Sequence, residues 1–264
     1  MPDVVGNLRV DQTWGSAQIG AALHQVNASY YNTTAGTTIG LFGNQEASGN
    51  PNDEWGWAAM AGIRLNAPFI GTGDYFAAQG IYTEGALRYI FQNPNNNWWL
   101  INSAGYGITA DGVYGGSVAN GTATSVNLTT AWGVNAGYEH FWLPQWRTSL
   151  YGGYTNVKYN GQANAILCSL QGSGTGVGNL AVANVGCDNN WQSWRIGTRT
   201  QWNVTKDFYM GLDVAYLKID SMSTSSGLIA GVGAIPATTN QFVRGVNDQD
   251  IWMARFRVHR DFYP

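Results

Sequence analysis

The sequence predicts an all-β fold: a transmembrane, antiparallel, up-and-down β-barrel of about nine strands, forming one domain over residues 1–264. Three observations predict it. Apolar and polar residues alternate with a period of two in many segments, as they do in strands that separate two environments. Short and long connections alternate between these segments. Charged residues make up only 11% of the chain, against about 25% in soluble domains.

The clearest predicted strand lies in the segment NWQSWRIGTRTQWNV. Arg195 and Arg199 fall on one face of this strand, and Trp194 and Trp202 fall on the other. We expect the tryptophans, with Trp191, to face outward at the membrane boundary, where aromatic rings concentrate. The arginines then face the lumen. Strand geometry alone places the two residue types side by side.

The same alternation predicts nine strands along the chain. Tight links follow the first, third, fifth and seventh, so each of these forms a hairpin with its successor. In chain order the predicted strands cover residues 7–14, 17–29, 55–68, 75–90, 127–142, 146–158, 194–204, 208–216 and 248–262.

Long connections follow the second, fourth, sixth and eighth strands, near residues 31–54, 91–126, 159–189 and 221–247. They are rich in Asn, Gly, Thr and Ser, and we expect little secondary structure in them. This asymmetry is typical of barrels with short periplasmic turns and long outer loops. A soluble β-sandwich has no reason to separate its loops by length.

The two cysteines, Cys168 and Cys187, flank one of the long connections. Two interpretations stay open: a pair of free thiols, or a disulfide formed in an oxidising compartment. No CxxC motif or His/Cys ligand spacing is present, so we expect no metal site.

Several classes are excluded by simple features. The net charge of -3 and the lack of a basic run argue against a nucleic-acid partner. The sequence contains no window of about 18 apolar residues, so we expect no membrane-spanning helix. The start, MPDVVGNLRV, has neither the basic head nor the apolar core of a signal peptide. Because bacterial single-chain barrels have even strand numbers, nine strands predict the C-terminal part of a longer barrel.

The candidate functional residues are charges on the lumen face. Acidic partners are expected to balance them in part, namely Asp11, Glu84, Glu139 and Asp213. A row of cations along one wall favours anions or oriented dipolar solutes. Each arginine alone is equally well explained by a salt bridge that fills the wall, whereas the group favours a function. The candidate arginines are Arg64, Arg147, Arg195, Arg199, Arg255 and Arg257, with Arg9 and Arg88 as further candidates.

Three segments carry a family resemblance: MPDVVGNLRVDQTWGSAQIGAALHQV, WRIGTRTQWNVTKDFYMGLDV and IWMARFRVHRDFYP. They resemble general-diffusion porins of alphaproteobacteria, of the rhizobial and Brucella type. The resemblance implies a 16-stranded barrel that assembles as a homotrimer among lipid and lipopolysaccharide in the outer membrane. It also implies passive diffusion of ions and small hydrophilic solutes, with no cofactor. The inward-folded loop that narrows such pores is expected to lie outside this chain.

Two alternatives belong to other classes. An outer-membrane barrel enzyme needs a nucleophile or an activated water, and His24, His140 and His259 match no catalytic motif. We therefore expect wall or girdle histidines, with His140 on the outward face, and no enzyme activity. A soluble sandwich or adhesin without channel activity is disfavoured by the shortage of charge. The glycine-rich segment 172–178 is expected to be an outer loop.

Overall fold

The computed structural model describes residues 2–31, 49–91, 98–101, 104–116, 118, 121–171, 187–223, 228–230, 243–245 and 248–262. Within them, nine long strands form one antiparallel sheet in which each strand pairs with its neighbours in chain order. The strands are β1 (Val4–Gln12), β2 (Gly15–Val26), β3 (Glu54–Asn66), β4 (Tyr75–Glu84), β5 (Thr130–Leu143), β6 (Trp146–Lys158), β7 (Trp191–Thr205), β8 (Phe208–Asp220) and β9 (Gln249–Arg260). The predicted all-β, up-and-down fold is confirmed.

The connections alternate in length, as predicted. Links of two residues join β1 to β2, β5 to β6 and β7 to β8, and residues 67–74 join β3 to β4. We call the edge of the sheet that carries these links the turn end, and the opposite edge the loop end. The predicted glycine-rich segment 172–178 lies outside the described residues.

The long connections contain more secondary structure than the sequence predicts. A 3-10 helix covers Leu87–Tyr89, and an α-helix, α1, covers Gly161–Gln171. In the described parts of these connections there are also three short two-stranded ribbons. They pair Trp98–Ile101 with Ala104–Ile108, Gly112–Val113 with Asn127–Leu128, and Leu228–Ala230 with Val243–Gly245.

The predicted strand over residues 75–90 is too long, because β4 ends at Glu84. Gly85 follows with a φ of +68°, in the left-handed region that glycine enters without steric cost. Its N–H bonds to the carbonyl of Thr129 at 2.8 Å, which closes the base of the connection. The chain then turns inward, and the side chain of Leu87 is buried.

Helix α1 forms where the sequence predicts only an outer loop. The side chain of Asn160 accepts a hydrogen bond from the N–H of Ala163 at 2.8 Å and so caps the first turn. Ala163, Ile166 and Leu167 then recur at helical spacing and pack against the sheet. A disulfide joins Cys168, near the end of α1, to Cys187, so the disulfide interpretation is the one that the structure supports.

The larger of the two buried apolar clusters among the described residues lies at the loop end of the sheet. It brings α1 and the 3-10 helix onto the ends of β5, β6, β7 and β8. We call it the loop-end cluster: Leu87, Phe91, Val113, Ala131, Val157, Tyr159, Ala163, Leu167, Trp191, Ile219 and Met222.

Candidate functional site

The two faces of the sheet differ in chemistry, and the strand register defines them. We call the face that carries the arginines the polar face, and the face that carries most of the tryptophans the apolar face. All six predicted arginines lie on the polar face, together with Arg9, Glu139 and Asp213. They are Arg64, Arg147, Arg195, Arg199, Arg255 and Arg257.

The position of Glu84 differs from the prediction that it lies on the lumen face. It pairs in register with Trp57 and Thr130 and therefore lies on the apolar face, at the last residue of β4. The sequence pattern of this strand is its least regular one. Arg88 lies in the 3-10 helix rather than in a strand and is exposed.

One cluster of interacting side chains on the polar face extends over four strands, β3 to β6, near the turn end. The Tyr75 hydroxyl donates to Glu139 at 2.6 Å, and the Arg147 guanidinium approaches the other carboxylate oxygen at 3.1 Å. The guanidinium of Arg64 lies 4.0 Å from the centroid of the Tyr75 ring, within cation–π distance. Glu139 is buried by these partners. Its charge is therefore neutralised within the wall.

A second group lies beside the first on β6, β7, β8 and β9. The Tyr151 hydroxyl donates to Asp213 at 2.5 Å, and Arg255 approaches the same carboxylate at 3.8 Å. Arg199 is the register partner of Asp213, yet neither Arg199 nor Arg257 makes an ion pair or side-chain hydrogen bond with the described residues. Cationic groups therefore outnumber their acidic partners here.

The two faces differ in net charge and in where their charged residues lie. In the nine strands, the polar face carries the seven arginines against four carboxylates, Asp11, Glu54, Glu139 and Asp213, a net charge of +3. The apolar face carries three cations and three anions, each within two residues of a strand end. These are Glu84, Lys158, Lys218, Asp220, Asp250 and Arg260.

The middle of the apolar face is mostly aliphatic and exposed. Leu8, Ile19, Leu150, Ile196 and Phe256 expose between 50% and 70% of their surface. A soluble monomer rarely exposes so large a contiguous apolar surface. Such a surface is stable when lipid or another apolar partner covers it.

Aromatic residues border this aliphatic region at both ends. At the turn end, Trp146 and Trp202 stack with ring centroids 5.3 Å apart. Trp202 lies eight positions after Trp194 on β7, which is roughly 27 Å along the strand and about 20 Å across a membrane at a tilt near 40°. The loop-end band crosses seven strands through Trp57, Tyr82, Trp132, Tyr154, Trp194, Tyr216 and Trp252.

Trp191 is the exception among the predicted outward tryptophans. It lies on the polar face, where its register partner is Val157, and it is buried in the loop-end cluster. Its ring stacks on Phe91 at 5.5 Å. The prediction for Trp191 is wrong because Trp191 lies three positions before Trp194 and so on the opposite face. The connections after β4 and β6 cover it there.

The covering of the polar face at the loop end is the feature that sequence reasoning missed. Positions there are apolar, and the connections after β4 and β6 pack onto them. The spacing of Ala163, Ile166 and Leu167 in the segment GQANAILCSLQ is the signal that could have found α1. A polar cluster fastens the same covering segments to β2. His24 lies 2.7 Å from Asp3 and 3.6 Å from Asp111.

The two carboxylates of this cluster respond differently to their surroundings. The hydrogen bond with His24, aided by one from Tyr89 and opposed by burial, holds the pKa of Asp3 below its ordinary value. Burial raises the pKa of Asp111, although the N–H of Leu87 donates to it at 2.6 Å. His24 therefore lies between Asp3, whose ionised form is favoured, and the less acidic Asp111.

Asp74 organises the turn between β3 and β4. Its buried carboxylate accepts hydrogen bonds from the N–H of Phe141 at 2.8 Å and from the Tyr138 hydroxyl, and lies 2.6 Å from His140. Burial acts to raise the pKa of Asp74, but these three hydrogen bonds together outweigh it and place the pKa below its ordinary value. The turn is thereby joined to β5.

Each histidine pairs with an aspartate, His259 with Asp261 at 2.9 Å, and among the described residues no side-chain hydrogen bond joins a histidine to Ser, Thr or Cys. His140 lies on the apolar face, as predicted. In the part of the chain that the structure describes, no cluster of His, Cys, Asp and Glu is suited to a metal ion. No described helix is long and apolar enough to cross a membrane.

Comparison with known proteins adds three findings. The family model described as "Porin subfamily" matches residues 1–254. No protein with a curated description matches the chain. Among solved structures, the chain is similar to the outer membrane channel DcaP of Acinetobacter baumannii, with 12% sequence identity and a TM-score of 0.47. That similarity covers 97% of this chain and 52% of that one, so this chain spans about half the length of its structural relative.

Proposed function

The chain belongs to the Porin subfamily, and from this premise we propose that it forms part of a water-filled outer-membrane channel. The channel passes ions and small hydrophilic solutes by passive diffusion. One observation carries the proposal: a continuous nine-stranded sheet keeps every arginine of its strands except the terminal Arg260 on one face and leaves the middle of the other uncharged. A wall between lipid and water uses both faces in this way.

The polar face lines the lumen in this proposal. Its working residues are those predicted from the sequence, without Glu84, Arg88 and Asp11. Their surplus of positive charge makes anions more permeant than cations, because a narrow pore with low-dielectric walls concentrates the field of fixed charges. The proposed lining residues are Arg9, Arg64, Arg147, Arg195, Arg199, Arg255, Arg257, Glu139 and Asp213.

The sheet requires further strands to close. Its edge strands, β1 and β9, each pair on one side only within the described residues. They run in the same direction, so they cannot close an antiparallel barrel on each other, and lipid satisfies no backbone group. We propose that additional strands close the barrel and bring the total to the sixteen strands that the alphaproteobacterial resemblance implies. The long connections near 31–54, 91–126, 159–189 and 221–247 then lie on the outer side.

The partners follow from the same placement. The apolar face contacts outer-membrane lipid, and the loop end meets lipopolysaccharide. A homotrimer is the assembly that the resemblance implies. Chemical cross-linking in native outer membranes tests it, with a ladder ending at three copies as the expected result and monomer alone as the contradiction.

A planar-bilayer recording tests the channel directly, with the chain itself and with any longer gene product that contains it. Under a KCl gradient, we expect stepwise conductance and a reversal potential of the sign that marks anion preference. The double substitution Arg199→Gln/Arg257→Gln removes two unpaired cations and should lower the anion-to-cation permeability ratio by about threefold, an estimate from surface-charge effects of this kind.

The control is Arg260→Gln, which removes one such cation from the end of the apolar face. Its selectivity should equal that of the wild type. No conductance in any form of the protein would refute the channel. Conductance with cation preference would refute the assignment of the polar face to the lumen.

A further inference from the structure

The middle of the polar face carries a row of residues in strict register across seven strands. Two arginines stand at its ends, and three amide side chains lie between them, with glycine at the other two positions. We call it the amide row: Arg9, Gln18, Gly62, Gln79, Asn135, Gly153 and Arg195. It lies between the charged groups near the turn end and the apolar positions under the loop-end cluster.

The amide row lies in a concavity of the sheet. The volume of this concavity is about 390 Å³, and six of the seven row residues line it, together with Arg64 and Tyr151. No carboxylate of the described residues lines it. The concavity therefore presents guanidinium and amide N–H donors without an anion of its own.

A glycine makes room for the central amide. A Cβ at Gly153 would lie 2.3 Å from Oδ1 of Asn135, so only glycine leaves the space that this amide occupies. The Asn135 oxygen accepts a hydrogen bond from Nη2 of Arg195 at 3.3 Å. This contact orients the guanidinium across the row and uses one of its five N–H donors.

The carboxylates of the polar face near this row, Asp11, Asp213 and Glu139, already have partners. Asp11 is held by Arg9 through bonds of 2.8 and 2.9 Å. Asp213 is held by Tyr151 and Arg255. None of the three is available to neutralise Arg195 or Arg64, and Arg64 is held over the Tyr75 ring rather than by an acid. Two guanidinium groups in one concavity thus lack an acidic partner among the described residues.

We propose that the amide row, with Arg64, is a binding site for an oxyanion: the carboxylate or phosphate group of a small solute in transit. Guanidinium groups bind both by paired, charge-assisted hydrogen bonds, and the Gln18 and Gln79 amides add neutral donors. The inference rests on the proposed channel and names the solute class that its wall selects. Binding is weak enough for release, on the order of millimolar, because a permeant solute must leave the site.

Blocking of chloride current tests the site. Single channels are recorded in KCl while sodium phosphate is added in one arm and sodium acetate in the other. We expect a saturable fall in chloride conductance, and the more potent anion identifies the preferred source. In Arg195→Gln, the half-blocking concentration should rise about tenfold, the effect of losing one charge-assisted contact.

Two further variants separate binding from folding. Gln79→Leu keeps every charge and should raise the half-blocking concentration by about threefold, less than Arg195→Gln, because a neutral donor contributes less. Arg260→Gln, on the apolar face, should leave it unchanged. Nuclear magnetic resonance titration of the wild type with phosphate in detergent micelles gives an independent readout, in which the Asn135 and Gln79 side-chain amides should shift.

The outcomes distinguish the two proposals. A conducting channel that neither anion blocks overturns the binding site and leaves the channel intact. Equal block in the wild type and in Arg195→Gln also overturns the site. Absence of any conductance, together with no shift of the amide resonances, refutes both.

Discussion

The polar and apolar faces belong to the same nine strands, and alternate residues of one chain build them, yet they hold charge in opposite places. The polar face carries its charges mainly between the turn end and the middle of the strands. The apolar face has charged residues only near strand ends, beside the aromatic bands. Composition alone therefore says little about this protein, whereas the parity of each position in its strand says which environment the side chain meets.

The strongest test of this difference between the faces is to place the same cation on neighbouring residues of β6. Leu150→Arg puts a guanidinium in the middle of the apolar face, where Leu150 is 56% exposed. We expect a loss of roughly 2–4 kcal/mol in unfolding free energy, the cost of a cation at the middle of a bilayer. Urea unfolding in phospholipid vesicles measures it.

Ser149→Arg is the matched control one residue away. Ser149 lies on the polar face between Glu139 and Arg199, so the new cation stays in water. Its unfolding free energy should stay within about 0.5 kcal/mol of the wild type. Equal costs for the two substitutions would contradict the assignment of lipid and water to the two faces.

The polar face is covered at the loop end and open over the rest of the strands. Removing the disulfide tests this second contrast. At the loop end this face is covered by α1 and the 3-10 helix rather than open. The double substitution Cys168→Ser/Cys187→Ser opens a loop of 19 residues, so we expect a loss of about 3 kcal/mol in the stability of the covering segment.

Hydrogen exchange locates this effect. The amides of α1 should exchange faster in the double variant, and those of the Tyr151–Thr155 stretch of β6 should not. Wild-type protein treated with a reductant should reproduce the variant. Unchanged exchange in α1 would mean that its contacts with Val157 and Trp191 hold it in place without the disulfide.

The turn end offers the smallest expected effect. Asp74→Asn keeps the shape of the side chain but removes the charge that three donors satisfy, and should cost about 2 kcal/mol. The control is Asp207→Asn in the turn after β7, whose exposed carboxylate makes no side-chain hydrogen bond with the described residues. A similar loss in both variants would contradict the role given to Asp74.

The pH dependence of stability gives a second check on Asp74. Because its pKa in the folded protein lies below the ordinary value of 3.8, its ionised form stabilises the fold above that pH. This stabilisation is lost as the pH falls below about 4 through the lowered pKa. The stabilities of the wild type and of Asp74→Asn should therefore converge in acid and differ most at neutral pH.

Much of the site was readable from the sequence, because alternation is a local property. The facing of Arg64, Arg147, Arg195 and Arg255 follows from counting residues within a strand whose apolar partners are clear. Glu84 was misplaced because the pattern of β4 is irregular. The pairing of Arg147 with Glu139 and of Arg255 with Asp213 could not be read, since it depends on register between strands.

The sequence by itself determined that this chain forms long amphipathic strands with an arginine-bearing face, and that short and long connections alternate. Period-two patterning and turn residues act within a few residues, so they need no knowledge of the rest of the chain. Only the tertiary structure decided the row of amides between Arg9 and Arg195 and the covering of the loop end by α1. Both depend on side chains far apart in sequence, which meet only when the register of the strands is set.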